Sequence, residues 1–159
     1  MSAVSENKRY FSVEEANARL PLVRAILQDI VALYEEVHER RERLARIRQI
    51  RGSQHSENSP YSDELRQAEL ELDKDIARLE AFAAELRELG AELKDPVIGL
   101  IDFLTQIDGR DAYLCWKLGE DEIQYWHDLD SGFRGRQSLM EESVSGSGDD
   151  LALPGDGRD

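Results

Sequence analysis

Cys115, His127 and the carboxylates Asp102, Glu120 and Asp128 fall within one short C-terminal stretch, and a thiolate, an imidazole and carboxylates are all acceptable ligands for a zinc-class ion. Asp102, Cys115, Glu120 and His127 are therefore the candidate metal set. The pattern is incomplete, because the chain has no Cys-x-x-Cys, no His-x-x-x-His and no second cysteine. Nucleophilic chemistry at Cys115 would need a base beside it and a lowered thiol pKa, and His127 is the only nearby base; His38 and His55 belong to a distant part of the chain. The competing structural reading makes Cys115 a small half-buried hydrophobe and His127 a hydrogen-bonded strand residue, and it leads.

A second constellation is basic and aromatic. Arg134 and Arg136 sit in a glycine-punctuated segment and could grip a carboxylate or phosphate through forked hydrogen bonds, with Tyr113 and Trp126 as a flat wall and Asp128 at its edge. Local acids such as Asp102, Asp128 and Asp130 compete for the same guanidinium groups. Gly132 and Gly135 precede no helix that could hold a nucleotide, which argues against a phosphate loop. Trp116 and Trp126 read first as core anchors.

The elements that must position these residues are legible upstream. Ser12 and Glu15 form a capping box for a helix starting near Val13, and Pro21 predicts a kink or short break before the main rod. Val23, Ile30, Val37 and Leu44 recur every seven residues, with Ile26, Leu33 and Ile47 beside them and Leu27 and Tyr34 widening the stripe. Residues 52–60 are a polar loop. A second helix follows from about Ser62, with Leu65, Leu72, Leu79 and Leu86 in the same rhythm and Gly90 as its stop. The two helices pair antiparallel, leaving Leu27, Tyr34, Leu70 and Phe82 for another surface to cover.

After Asp95-Pro96 the pattern becomes strand-like. Strands are expected over 97–103, 112–118 and 123–129, with a turn at Asp108-Gly109 and another at 119–122, giving a three-stranded antiparallel meander. If the second turn holds two or four residues, Leu114, Trp116 and Leu118 share the helix-facing side with Ile123, Tyr125 and His127. Tyr113, Cys115, Lys117, Gln124, Trp126 and Asp128 then form an outward polar-aromatic face, with Cys115 and His127 on opposite sides of the sheet. A three-residue turn would swap one strand's partners.

Composition bounds the function. The 159 residues carry a formal charge of −14, so nucleic acid and anionic membranes are disfavoured partners, although Arg40, Arg41, Arg43, Arg46, Arg48 and Arg51 make one end of the first helix basic. That end suits the negative terminus of a helix dipole. A single cysteine, no apolar run of membrane-spanning length and a polar start predict a reducing, cytoplasmic setting. Residues 1–9 are expected to be flexible and 140–159 to form a disordered acidic tail. Between them lies one domain, 10–139, made of a helical hairpin over 12–90 and a β unit over 96–139.

The motifs Phe11-Ser12-Val13-Glu14-Glu15-Ala16-Asn17 with Leu20-Pro21, Gly99-Leu100-Ile101-Asp102-Phe103, Leu114-Cys115-Trp116-Lys117-Leu118-Gly119-Glu120, Tyr125-Trp126-His127 and Gly132-Phe133-Arg134-Gly135-Arg136 occur in this order. Together they resemble the bacterial family known as domain of unknown function 2203, over about residues 10–139. The resemblance implies a small cytoplasmic protein and assigns no functional residues. The expected fold is α+β: a long, coiled-coil-like antiparallel hairpin with a small three-stranded antiparallel sheet at its C-terminal side. The leading expectation is a non-catalytic interaction or assembly module that self-associates through the hairpin and presents Tyr113, Trp126, Asp128, Arg134 and Arg136 to a protein partner or small anion. No cofactor is expected on that reading. The alternative is a small metal- or ligand-dependent enzyme using Asp102, Cys115, Glu120 and His127.

Overall fold

The computed structural model describes residues 8–51 and 60–140. Residues 52–59 of the expected loop, the first seven residues and the tail from 141 onward lie outside the described residues, while Pro60, expected to close that loop, is the first residue of the second helix. Helix α1 spans Val13–Arg51, helix α2 Pro60–Glu88, and five strands follow: β1 Ala91–Asp95, β2 Leu100–Ile107, β3 Arg110–Lys117, β4 Tyr125–Asp128 and β5 Gln137–Ser138. The strands form one antiparallel meander in the order β1-β2-β3-β4-β5. The α+β class holds, and the expected three strands are five. No described helix is long and apolar enough to cross a membrane.

The capping box at the start of α1 is closed from both sides. The Ser12 hydroxyl accepts from the Glu15 N–H at 3.0 Å, and the Glu15 carboxylate accepts from the Ser12 N–H at 3.0 Å. The break expected at Pro21 does not interrupt the helix. Proline removes one donor, at a cost of about 3 kcal/mol. Ala16 and Leu20 before it and Val23, Leu27 and Ile30 after it are all buried in the same core, and each large apolar side chain so buried returns about 1.5–3 kcal/mol. Burial on both sides outweighs the missing bond.

At the other end of the hairpin, Gly90 ends α2 with φ +96° and donates its N–H to the Arg87 carbonyl at 2.9 Å. The chain then turns directly into β1, beneath the ring of Phe11; any side chain at position 90 would collide with that ring. Phe11 packs its ring 5.1 Å from that of Phe103, and its N–H donates to the Leu104 carbonyl at 2.8 Å.

Two cores result. In the larger one, Val23, Leu27 and Ile30 of α1 and Leu86 of α2 meet Ile101, Phe103, Leu114, Trp116 and Trp126 on one face of the sheet. Leu27, left without a cover by the helix pair alone, is completely buried here. The smaller core, made of Leu33, Val37, Leu44 and Leu72, is sealed by helix–helix contact only. Along this distal stretch the cationic face of α1 meets acids of α2, through the pairs Arg40–Asp75 and Arg48–Glu69. Two arginines of the basic cluster are thus paired within the hairpin itself.

The turn at Asp108-Gly109 is a two-residue hairpin, with both residues at positive φ and Ile107 paired to Arg110. The connection from β3 to β4 is longer than expected. It leaves the sheet after Lys117 and returns at Tyr125, held by a hydrogen bond from the Ile123 N–H to the Asn17 side chain at 2.8 Å and one from Arg24 to the Asp121 carbonyl at 3.0 Å. It sets Cys115 opposite Tyr125, Leu114 opposite Trp126 and Tyr113 opposite His127. The parity is therefore the reverse of the expected one, and every β4 side chain lies on the other face.

Candidate metal centre

That reversal assembles the site. Asp102 on β2 and Cys115 on β3 are direct cross-strand partners, and His127 on β4 projects from the same side, away from the face that meets the helices. The three side chains are buried, and one carboxylate oxygen, the sulfur and one imidazole nitrogen all lie within 4.8 Å of one another. Cys115 and His127, expected on opposite faces, are neighbours.

The imidazole is fixed at both nitrogens. Nδ1 lies 2.6 Å from the Asp128 carbonyl oxygen, which can only accept, so Nδ1 carries a proton. Nε2 lies 3.0 Å from Asp102 Oδ2. A single proton sits between these last two atoms, on the ring or on the carboxyl. Burial raises the Asp102 pKa above the usual carboxylate range, with His127 and Lys94 pulling the other way. Among the described residues its second oxygen, Oδ1, is buried without a nitrogen or oxygen donor, and the Cys115 thiol adds to the groups that lower the carboxyl's pKa.

Burial is also the main reason that the Cys115 thiol is pushed up to about 12; the Asp102 charge adds to the effect and Arg136 opposes it. With neither imidazole nitrogen available to take the thiol proton, Cys115 lacks the base that nucleophilic catalysis needs. In metal-free protein at pH 8, iodoacetamide should modify Cys115 about a thousandfold more slowly than an unperturbed thiol, and at the ordinary rate once urea unfolds the chain. Mass spectrometry of timed samples reads this out, and rapid modification of the folded protein would show that the thiol is open and ionised.

Glu120, expected among the ligands, stands apart. Its carboxylate accepts from the Lys117 N–H at 2.9 Å and from Arg136 Nη2 at 2.8 Å. Although burial alone would raise its pKa, Arg136 and the Lys117 N–H hold it below the usual value. Arg136 also donates to the Cys115 carbonyl at 3.3 Å, and its guanidinium lies over the rings of Tyr125 at 4.1 Å and Phe133 at 4.8 Å. The acid opposite Arg136 is therefore Glu120, which sequence reasoning placed elsewhere.

The outward patch expected from the sequence does not form as one surface. Tyr113 is on the metal-candidate face, its ring 5.6 Å from the His127 imidazole, and Arg136 is beside Cys115. Trp126 is on the opposite face, 7% exposed within the main core, and Asp128 shares that side of β4. Arg134 is exposed in the short 3₁₀ turn Phe133–Gly135. Lys94, which stacks 5.3 Å from the Tyr113 ring, and Tyr125, beneath Arg136, complete the surroundings of the site. Lys94 lies on the strand that the sequence reading omitted.

Fold and site together define an α+β protein in which a helical hairpin backs a meander, and the meander's outer face encloses an Asp–Cys–His cluster. The chain belongs to the family of uncharacterized conserved proteins DUF2203, whose sequence model matches residues 9–139. No curated protein and no solved structure matches it.

Proposed function

We propose that this is a metal-centred protein that binds one divalent transition-metal ion of the zinc class through Asp102, Cys115 and His127. The observation that carries the reading is the convergence of three different ligand types from three adjacent strands, all buried and within 4.8 Å. Around a tetrahedral ion with bonds of about 2.0–2.3 Å the ligand atoms would stand roughly 3.3–3.7 Å apart, so the 3.0 Å His127–Asp102 contact opens slightly and any wider separations close by about an ångström at most. The second sphere also fits: a backbone carbonyl takes the Nδ1 proton of His127 and leaves Nε2, the nitrogen nearest Asp102, to bind. The sulfur disfavours magnesium and calcium, which select oxygen.

Charge balance supports a divalent ion. Without metal, the Asp102–His127 pair shares one proton and the thiol holds another, so the cluster is neutral. Binding releases both protons, and a doubly charged cation compensates the carboxylate and thiolate left behind. Titrating the metal-free protein with Co²⁺ in weak buffer should give one equivalent bound, a sulfur-to-cobalt absorption band and proton release. The affinity should rise by at least about tenfold per pH unit near neutrality, because the thiol, pushed up to about 12, still holds its proton there. Absence of the band in the native chain, or its persistence in Cys115→Ser, would reject the site.

A second reading concerns the hairpin, and one observation favours it. An apolar groove of about 270 Å³ lies where the two helices meet the first strand, lined by Ile30, Tyr34, Val37, Ile76, Leu79 and Ala83 of the helices with Leu93 and Pro96 at its end. A two-helix rod buries each helix on one side only, so a second copy of the hairpin laid in this groove would complete the packing and make the protein a homodimeric assembly module. Sedimentation across a concentration series should show a monomer–dimer equilibrium. A monomer at every concentration would dismiss it.

A further inference from the structure

We infer that the centre takes a small carboxylate-type oxyanion as an additional ligand, bound jointly by the metal and Arg136. This rests on the metal reading above. Three protein ligands leave the fourth tetrahedral position open to an exogenous group, the arrangement that zinc-class sites use for reactants rather than for structure alone. Arg136 stands beside the cluster, with Nη2 3.3 Å from the carbonyl oxygen of Cys115 and its charge close enough to act on the Cys115 thiol.

The guanidinium is prepared for an anion. Stacking on Tyr125 and Phe133 fixes its plane, and a fixed planar fork suits the two coplanar oxygens of a carboxylate. Glu120 and the Cys115 carbonyl each accept from Nη2, and Nε–H is buried with no acceptor among the described residues. Glu120 is thus an internal carboxylate already engaged on part of the fork, and it shows which chemistry the fork accepts.

Access follows from exposure. Asp102, Cys115 and His127 are almost wholly closed to solvent, whereas the Arg136 and Glu120 side chains are 14% and 21% exposed. The anion enters past this ion pair, the more exposed side of the cluster. Glu120 resists entry by charge and by holding Nη2.

The test uses the full chain loaded with Co²⁺, titrated with acetate and separately with inorganic phosphate while the visible cobalt absorption is followed. Acetate should shift the spectrum saturably. Arg136→Gln should weaken acetate by about tenfold or more, the worth of one charge-assisted hydrogen bond, while Glu120→Gln should tighten it. Should Arg136→Gln fail to fold, Glu120→Gln and Arg136→Lys carry the comparison, since both retain the positive charge. A cobalt spectrum indifferent to acetate, a shift of equal affinity in Arg136→Gln, an unchanged or weakened affinity in Glu120→Gln, or a response to phosphate alone would overturn the inference. Absence of any cobalt spectrum is a different result, which removes the metal reading and this one with it.

Discussion

Zinc added to the metal-free protein should raise its melting temperature by roughly 10 °C. A ligand that binds only the folded chain stabilises it by about 4 kcal/mol when present at a thousand times its dissociation constant, and a domain of this size gains a few degrees per kcal/mol. The effect should be large because Asp102, Cys115 and His127 come from different strands, β2, β3 and β4, so an ion held by all three would cross-link the middle of the sheet. Unfolding separates them completely and leaves no preformed site. Differential scanning fluorimetry with and without zinc measures the shift, and Cys115→Ser and His127→Ala should each abolish it. A wild-type melting curve indifferent to zinc, cobalt and nickel would leave the cluster as an ordinary buried ion pair.

The second large effect concerns that pair without metal. Asp102→Ala should destabilise the metal-free protein by about 3–5 kcal/mol, because it strips His127 of the partner at Nε2 and leaves a polar ring in a closed apolar setting. The double substitution Asp102→Leu with His127→Phe should recover most of the loss, since apolar groups of similar volume carry no desolvation cost. Urea midpoints for the two single variants and the double variant close the cycle. A loss below about 1 kcal/mol for Asp102→Ala would mean that water reaches the pair. A double variant as unstable as the worse single one would place the cost in packing instead.

The two experiments separate stability from function. A buried Asp–His pair is weak support for a fold, because a hydrocarbon filling of the same space does as well or better.

The hairpin was legible because its signals are local and repeated. Ser12 and Glu15, the leucine spacing of both helices and Gly90 each specify their element without reference to the rest of the chain. Strand β1 was not, since Ala91-Glu92-Leu93-Lys94-Asp95 is short, half polar and wedged between the stop at Gly90 and Pro96; it pairs only because β2 lies beside it. The ligand types at Asp102, Cys115 and His127 could be read from residue chemistry, but their convergence could not. It depends on the parity of the β3–β4 register, and that is set by a long excursion anchored to Asn17 and Arg24 on a helix about a hundred residues earlier. Glu120 went to the wrong partner for the same reason: the fold of that excursion brings it to Arg136.

From Leu33 outward, the smaller core among the described residues is built by α1 and α2 alone, over roughly 28 Å of α1 at 1.5 Å per residue. Matched excisions or insertions of seven residues in both helices would preserve the phase of the seam and leave the sheet undisturbed, whereas other increments would rotate one strip of leucines out of register. The reach of this arm is therefore an adjustable dimension, one that can drift in whole heptads without altering the chemistry at its base.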